Sequence, residues 1–229
     1  MPDRDKARGK NDVLRVFQTK KETRAFYDKI SAFYDFLAER SEGPIRAIGL
    51  EHLAAQTGHA VLEIGYGTGG ALVELATTVG PSGRVIGVDL SRGMAGQTRA
   101  RLGKRLPEAP VQLVCGDAEQ LPLRHDSIDG IFMSFTLELF DTPAIPVVLA
   151  ECRRVLRQGG RIAIVSLSKD APPGLALDVF QWTHEHFPSL LDCRPIYAQQ
   201  MLEAAGFEII TVRQESMWVP VDIVIATSR

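Results

Sequence analysis

Apolar residues fall into short, nearly unbroken runs separated by stretches with helical spacing. Ala60–Ile64 is apolar apart from Glu63, as a parallel strand buried on both faces should be. A helix over Ala71–Thr78 follows, then a strand at Arg84–Asp89. Ser91 is placed to cap a helix that runs to about Leu106, where Pro107 stops it. Further strands are predicted at Val111–Cys115 and Ser127–Ser134. Thr142 is expected to cap a helix with Pro143 at its first position and Gly159 at its end, leading into a strand at Arg161–Leu167. The rhythm then changes. A loop over 169–194 carries a short amphipathic pattern at Leu175–Phe187, Pro195–Ala205 reads as a helix closed by Gly206, and Phe207–Val212 and Val219–Thr227 read as two strands with no helix between them.

Two strands joined so directly must be antiparallel. Alternating β/α units ending in such a hairpin predict a Rossmann-like, doubly wound α/β sheet of seven strands, mostly parallel with an antiparallel C-terminal strand. Upstream, residues 1–12 read as disordered, 13–40 as helical and rich in aromatics, and Gly43–Ala55 as another short helix. The expected organisation is a tail and helical cap over 1–58 and a ligand-binding domain over 59–229, with a lid insertion at about 169–194.

Composition narrows the function classes. Net charge is -2, so the whole molecule makes no electrostatic claim on nucleic acid. Residues 1–24 are locally basic, which suits either a frayed terminus or an arm touching an anionic membrane surface. No apolar run reaches the roughly 18 residues of a membrane span, and no apolar segment follows the charged N-terminus, so a cytoplasmic location is expected. The three cysteines, Cys115, Cys152 and Cys193, form no C-x-x-C pair, and Cys115 sits in an apolar strand pattern as a core residue would. His184 and His186 are two apart on a predicted helix and point to different faces, so no metal is expected there.

The run Val61–Gly70 carries the chemistry. It reads as a strand breaking into a glycine-rich turn before a helix, which lets backbone approach a ligand and aims free helix N–H groups at it. Gly65, Gly67 and Gly70 fit the dinucleotide pattern G-x-G-x-x-G. Glu63, Gly65, Gly67 and Gly69 fit E-x-G-x-G-x-G, the pattern of S-adenosylmethionine (SAM) methyltransferases. Asp89, ending the second strand, can accept two ribose hydroxyls from either ligand. Asp117, after the third strand, stands where SAM enzymes commonly accept the adenine amino group, or is an Asx-turn residue.

The chain resembles class I SAM-dependent methyltransferases, in particular the ubiquinone/menaquinone-biosynthesis branch. The matching segments are Tyr34-Asp35, Val61–Gly70, Val88-Asp89-Leu90-Ser91 with Met94, Gly116–Pro122, Arg154-Val155-Leu156 with Gly159-Gly160, and Ala205-Gly206-Phe207. The quinone enzymes follow Tyr-Asp with Asn and a His/Trp-bearing segment, which Phe36–Pro44 lacks, and their Lys-Pro-Gly-Gly is Arg157-Gln158-Gly159-Gly160 here.

The resemblance implies SAM as cofactor and in-line transfer of its methyl group to a small, flat or lipophilic acceptor. It places Gly65, Gly67 and Gly69 against the methionine portion, Tyr34 and Ser134 beside the cofactor, and Leu90, Met94, Asp117 and Ala118 around adenine. Glu63 either orients the turn and the cofactor's amino group or pairs with a nearby base; Tyr66 either lies against the cofactor or points to solvent; Met94 serves equally as core filler. Tyr27, Phe135, Glu138 and Phe180 are the acceptor-side candidates, Glu138 being the best-placed base if it is not simply a solvated acid. No dedicated catalytic residue is assigned. A phospholipid-amine methyltransferase, an NAD-dependent oxidoreductase and a non-catalytic SAM-binding protein are the competing readings.

Overall fold

A computed structural model of the chain describes residues 42–170, 194–217 and 219–229, together with Val13, Glu22, Thr23, Ala25 and Asp28. Seven strands form one sheet: β1 (Ala60–Ile64), β2 (Arg84–Asp89), β3 (Val111–Cys115), β4 (Ile128–Ser134), β5 (Leu156–Leu167), β6 (Phe207–Ser216) and β7 (Pro220–Ser228). Their order is β3-β2-β1-β4-β5-β7-β6. The first five are parallel, and β7 inserts antiparallel between β5 and β6. The chain winds outward from β1 to β3, then returns to lay β4 on the other side of β1. Strand order therefore reverses between β1 and β4, where open α/β sheets bind ligands beyond the carboxyl strand ends.

Alternation along the buried strands sends successive side chains to opposite faces. Val61, Val85, Phe132, Ala163, Val165, Ile223 and Ile225 face a helix at residues 42–53 (α1), a second at Gly70–Val79 (α2) and a third at Arg92–Arg105 (α3). Leu62, Ile64, Ile86, Ile131, Met133, Ile162, Ile164 and Val224 face α4 (Ile145–Val155) and α5 (Ala198–Ala204). Helix α1 lies directly on the sheet. A Cβ on its Gly49 would stand 2.7 Å from Val165 and 3.1 Å from Phe132, so glycine here sets the helix-to-sheet distance.

Local signals placed most boundaries, and long-range pairing moved the rest. Ser91 caps α3, its hydroxyl accepting the Met94 N–H at 3.1 Å. Thr142 does not cap α4. Residues 142–144 form a turn closed on the Asp141 carbonyl, the helix starts at Ile145 with Pro146 behind it, and the Thr142 hydroxyl instead accepts from Arg194. Gly159 does not end α4 either. The helix gives way at Leu156, which pairs with Ile128, and residues 157–160 then bulge before Arg161 pairs with Gly130. The left-handed Gly159, at φ 74, belongs to that bulge. Pro195 lies outside α5 because Ile196 is held as a short parallel bridge against Ser168. Gly206, at φ 84, does close α5. Cys115 is exposed rather than in the core, because β3 is the sheet's edge strand. Among the described residues no helix is long and apolar enough to cross a membrane.

Candidate functional site

Strand β1 ends against β2, with the Gly65 N–H donating to the Val88 carbonyl at 2.8 Å. The turn beyond it is shaped by three left-handed glycines with different surroundings. A Cβ on Gly65 (φ 73) would fall 2.3 Å from the Thr136 hydroxyl, and one on Gly69 (φ 83) would fall 2.5 Å from the Thr98 methyl. One on Gly67 (φ 49) would meet nothing within 4 Å among the described residues. Gly65 and Gly69 thus seat the turn against the protein, while Gly67 carries its open face. The Thr98 hydroxyl donates to the Gly67 carbonyl at 2.7 Å, and the Gly67 N–H donates to Asp89 Oδ2 at 2.9 Å.

Asp89 is half-buried at the end of β2, and its Oδ1 accepts the Ser91 N–H at 2.8 Å. Burial pushes its carboxyl up to about 6, against the pull of the Ser91 and Gly67 N–H groups; the nearby Asp28 carboxylate adds to the rise. Glu63 is 3% exposed, and its Oε2 has no hydrogen-bond partner among the described residues. Burial holds it well above the usual carboxylate range, with the Arg46 guanidinium opposing. Arg46 reaches from α1 across the start of α2 to Glu74 at 3.2 Å. Its guanidinium lies over Gly70, so the third glycine of the dinucleotide pattern makes room for an arginine.

The remaining expected cofactor residues fall into two groups. Leu90 is half-buried beside Asp89, and the Asp117 Oδ1 accepts the Glu119 N–H at 3.0 Å, so Asp117 does form the Asx turn. Ala118 is buried next to it. Tyr66 does not reach solvent. Its ring lies on β2, with the Cβ position of Gly87 only 2.6 Å away, and its buried hydroxyl has no partner among the described residues. Met94, at 1% exposure, is a core residue under α3. Tyr27, Tyr34, Phe180, His184 and His186 lie outside the described residues.

Across the switch point, Ser134 ends β4 with a buried hydroxyl that has no partner among the described residues. Phe135 follows at φ 49, an uncommon conformation for a non-glycine residue and one that clusters at functional sites. Glu138, on a short 3-10 turn (Leu137–Leu139), is not a solvated acid: its exposure is 0%. Oε1 accepts the Leu167 N–H at 3.2 Å, and Oε2 has no partner among the described residues. Burial pushes its carboxyl up to about 8, opposed by that N–H and by Arg194.

Arg194 is itself fully buried. It donates to the carbonyls of Glu138 (3.1 Å) and Phe140 and to the Thr142 hydroxyl (3.1 Å). Sequence reasoning missed Arg194, Arg46, Thr98, Thr136 and Asp28. Asp28 alone had a visible signal, because Ala25-Phe26-Tyr27-Asp28 is repeated as Ala32-Phe33-Tyr34-Asp35.

These residues suit a ligand that combines an ammonium group with a ribose. An open glycine backbone, an orphaned carboxylate oxygen on Glu63 and the Asp89 carboxylate follow one another along the carboxyl edge of β1 and β2. Residues 61–160 match the family described as Methyltransferase domain. An uncharacterized 37.1 kDa protein in transposon TN4556 of Streptomyces fradiae is 34% identical over 206 residues, 86% of this chain and 56% of that protein. The demethylmenaquinone methyltransferase of Lactococcus lactis is 33% identical over 147 residues, 64% of this chain and 56% of that enzyme. The matched stretch thus spans little more than half the length of either curated relative. A SAM-dependent methyltransferase from Aquifex aeolicus shares the fold with a TM-score of 0.66 at 22% identity, covering 89% of this chain and 98% of that one. Residues 61–160 therefore carry a methyltransferase domain, and the chain is similar in sheet order, glycine turn and sequence to class I SAM-dependent methyltransferases, the ubiquinone/menaquinone-biosynthesis enzymes among them.

Proposed function

We propose that the protein is an enzyme that transfers a methyl group from SAM to a small, lipophilic acceptor. The observation that carries this reading is the face of Gly67, open among the described residues and bonded to the carboxylate of Asp89, together with the Glu63 oxygen near the end of β1 that has no partner among them. The bound cofactor supplies a methyl group already activated by a sulfonium charge, so the protein's task is positioning and exclusion of water. In this assignment the Gly65–Gly69 backbone lies along the amino-acid end, and Glu63, ionised by the approach of an ammonium, holds it. Asp89 accepts the ribose hydroxyls. Leu90, Asp117 and Ala118 border adenine.

Ser134, Phe135 and Glu138 form the acceptor end, because they follow the strand on the far side of the switch point. The lipophilic acceptor class rests on the relatives, several of which are named as demethylmenaquinone or ubiquinone/menaquinone methyltransferases. The chain lacks those enzymes' residues after Tyr-Asp, which favours an acceptor other than their own quinone precursors.

Titration calorimetry with S-adenosylhomocysteine (SAH) and with NADH tests the cofactor assignment. SAH is expected to bind saturably and NADH not at all; the reverse result would sink the reading. Release of SAH from SAM, measured over a panel containing a hydroquinone, a phospholipid amine and a prenylated phenol, tests the acceptor class. Turnover confined to the phospholipid amine would replace the proposed acceptor by a membrane lipid.

A further inference from the structure

Asp89 does not stand alone at the ribose end of the site. Its Oδ2 accepts the Gly67 N–H at 2.9 Å and its Oδ1 the Ser91 N–H at 2.8 Å. Ser91 is 1% exposed, and its hydroxyl is committed on both sides. It accepts the Met94 N–H at 3.1 Å and donates to Asp28 Oδ1 at 2.6 Å. The same Asp28 oxygen accepts the Gly93 N–H at 2.8 Å. Asp28 precedes Ser91 by 63 residues, so this contact ties the N-terminal part of the chain to the backbone that follows β2.

We propose that Asp28 is a cofactor-positioning residue, which fixes Ser91 and through it the orientation in which Asp89 meets the ribose of SAM. The inference rests on the assignment of Asp89 made above. A hydroxyl that donates and accepts at once has its rotor fixed, and Ser91 then presents its N–H to Asp89 from a fixed position. Removing Asp28 leaves the Ser91 proton without this acceptor and returns the Gly93 N–H to the unpaired donors of a helix start. Asp28 also adds a negative charge beside Asp89.

A second helix cap with no bearing on the cofactor would make the same two contacts, and the charge separates the two roles. Asp89 is surrounded by Asp28 from the N-terminal part, Glu63 from β1, Tyr66 from the glycine turn and Cys115 across the β2–β3 ladder, with Arg99 of α3 facing Tyr66. The charge of Asp28 favours protonated Asp89. A ribose diol needs the ionised form to accept both of its hydroxyls. Asp28 therefore contributes geometry at every pH and opposes ionisation of Asp89 on the acid side.

The test is SAH affinity of the full-length protein, D28N and D28A, measured by titration calorimetry from about pH 5 to about pH 8, with steady-state constants for SAM beside it. D28N keeps the accepting oxygen without the charge. At about pH 8 it should bind SAH within about twofold of the wild type, while D28A binds about five- to tenfold more weakly, the loss expected when an ordinary intramolecular hydrogen bond is removed. D28A should raise KM for SAM and leave kcat within about twofold. The acid-side midpoint of SAH binding should move to lower pH in both variants. If D28A binds SAH like the wild type and the midpoint stays put, Asp28 is only a cap and the inference is overturned. If the wild type fails to bind SAH at all, the assignment of Asp89 falls, and this inference with it.

Discussion

Two carboxylates stand on opposite sides of the switch point, and the same physical cause raises the proton affinity of both. Asp89, after β2, is half-buried and accepts two backbone N–H groups, so burial takes it only to about 6. Glu138, after β4, is wholly buried; the backbone N–H groups of Leu167 and of Glu138 itself oppose the rise, yet full burial takes it to about 8. Among the described residues the β1–β2 side is open at Gly67 and presents backbone groups that a ligand can approach. The β4–β5 side is closed around a buried arginine that orders the loop over residues 138–142. The difference suits the proposed division of labour, in which the β1–β2 side takes the cofactor and the β4–β5 side takes the acceptor.

The harshest way to break this contrast is to remove Arg194. Arg194→Met keeps much of the apolar stem but leaves the Glu138 and Phe140 carbonyls and the Thr142 hydroxyl without their donor. Each stranded buried group costs about 1–3 kcal/mol, so a loss of about 3–5 kcal/mol in urea unfolding is expected. The partners of Arg194 given above, Glu138, Phe140 and Thr142, all lie on the β4–β5 side, and SAH affinity of the folded fraction should stay within about threefold. A tenfold loss of SAH affinity would show that the two sides are one structure.

A smaller test lies within the glycine turn. Gly65→Ala drives a Cβ into Thr136 at a left-handed backbone and should lower stability by about 2–4 kcal/mol. Gly67→Ala meets no atom of the described residues, so its stability cost should be only the backbone strain of about 1–2 kcal/mol. Its Cβ projects from the face assigned to the cofactor, and SAH affinity should fall by about tenfold or more. Unchanged SAH binding by Gly67→Ala would move the cofactor off that face.

The same contrast governs how much was legible in the sequence. Strands β2 and β3, the Ser91 cap and the glycine turn were readable because neighbouring residues specify them. The start and end of α4 were misread because their determinants are distant. Arg194 takes the Thr142 hydroxyl, and the β4–β5 ladder claims Leu156 before Gly159 can act as a stop. Glu138 looked like a surface acid because nothing near it in sequence announces an arginine 56 residues later. Tyr66 was recoverable: Gly87 inside β2 is a strand-interior glycine, which marks close approach by another group, and the Tyr66 ring is that group.

The gentlest test sharpens the comparison of the two carboxylates through pH. Glu138 titrates at about 8 in the folded protein against an ordinary 4.5, so between those values the folded state holds a proton that the unfolded chain has released. Stability therefore falls as pH rises across that window, by up to about 1.4 kcal/mol per unit from this group alone. Asp89 acts in the same direction, but only between 3.8 and about 6. Above about pH 6 the two separate, because Asp89 is by then ionised in both states. Glu138→Gln keeps an oxygen for the Leu167 N–H and removes the titration, so its urea-unfolding free energy should be flatter than the wild type's between about pH 6 and about pH 8. Asp89→Asn should flatten only the more acid range. Equal wild-type and Glu138→Gln slopes above about pH 6 would mean that Glu138 is hydrated in solution and that the acceptor side is as open as the cofactor side. If methyl transfer in Glu138→Gln also loses a rise in rate through about pH 8, the buried carboxylate takes part in the chemistry; if the rate profile is unchanged, its role is to order the loop.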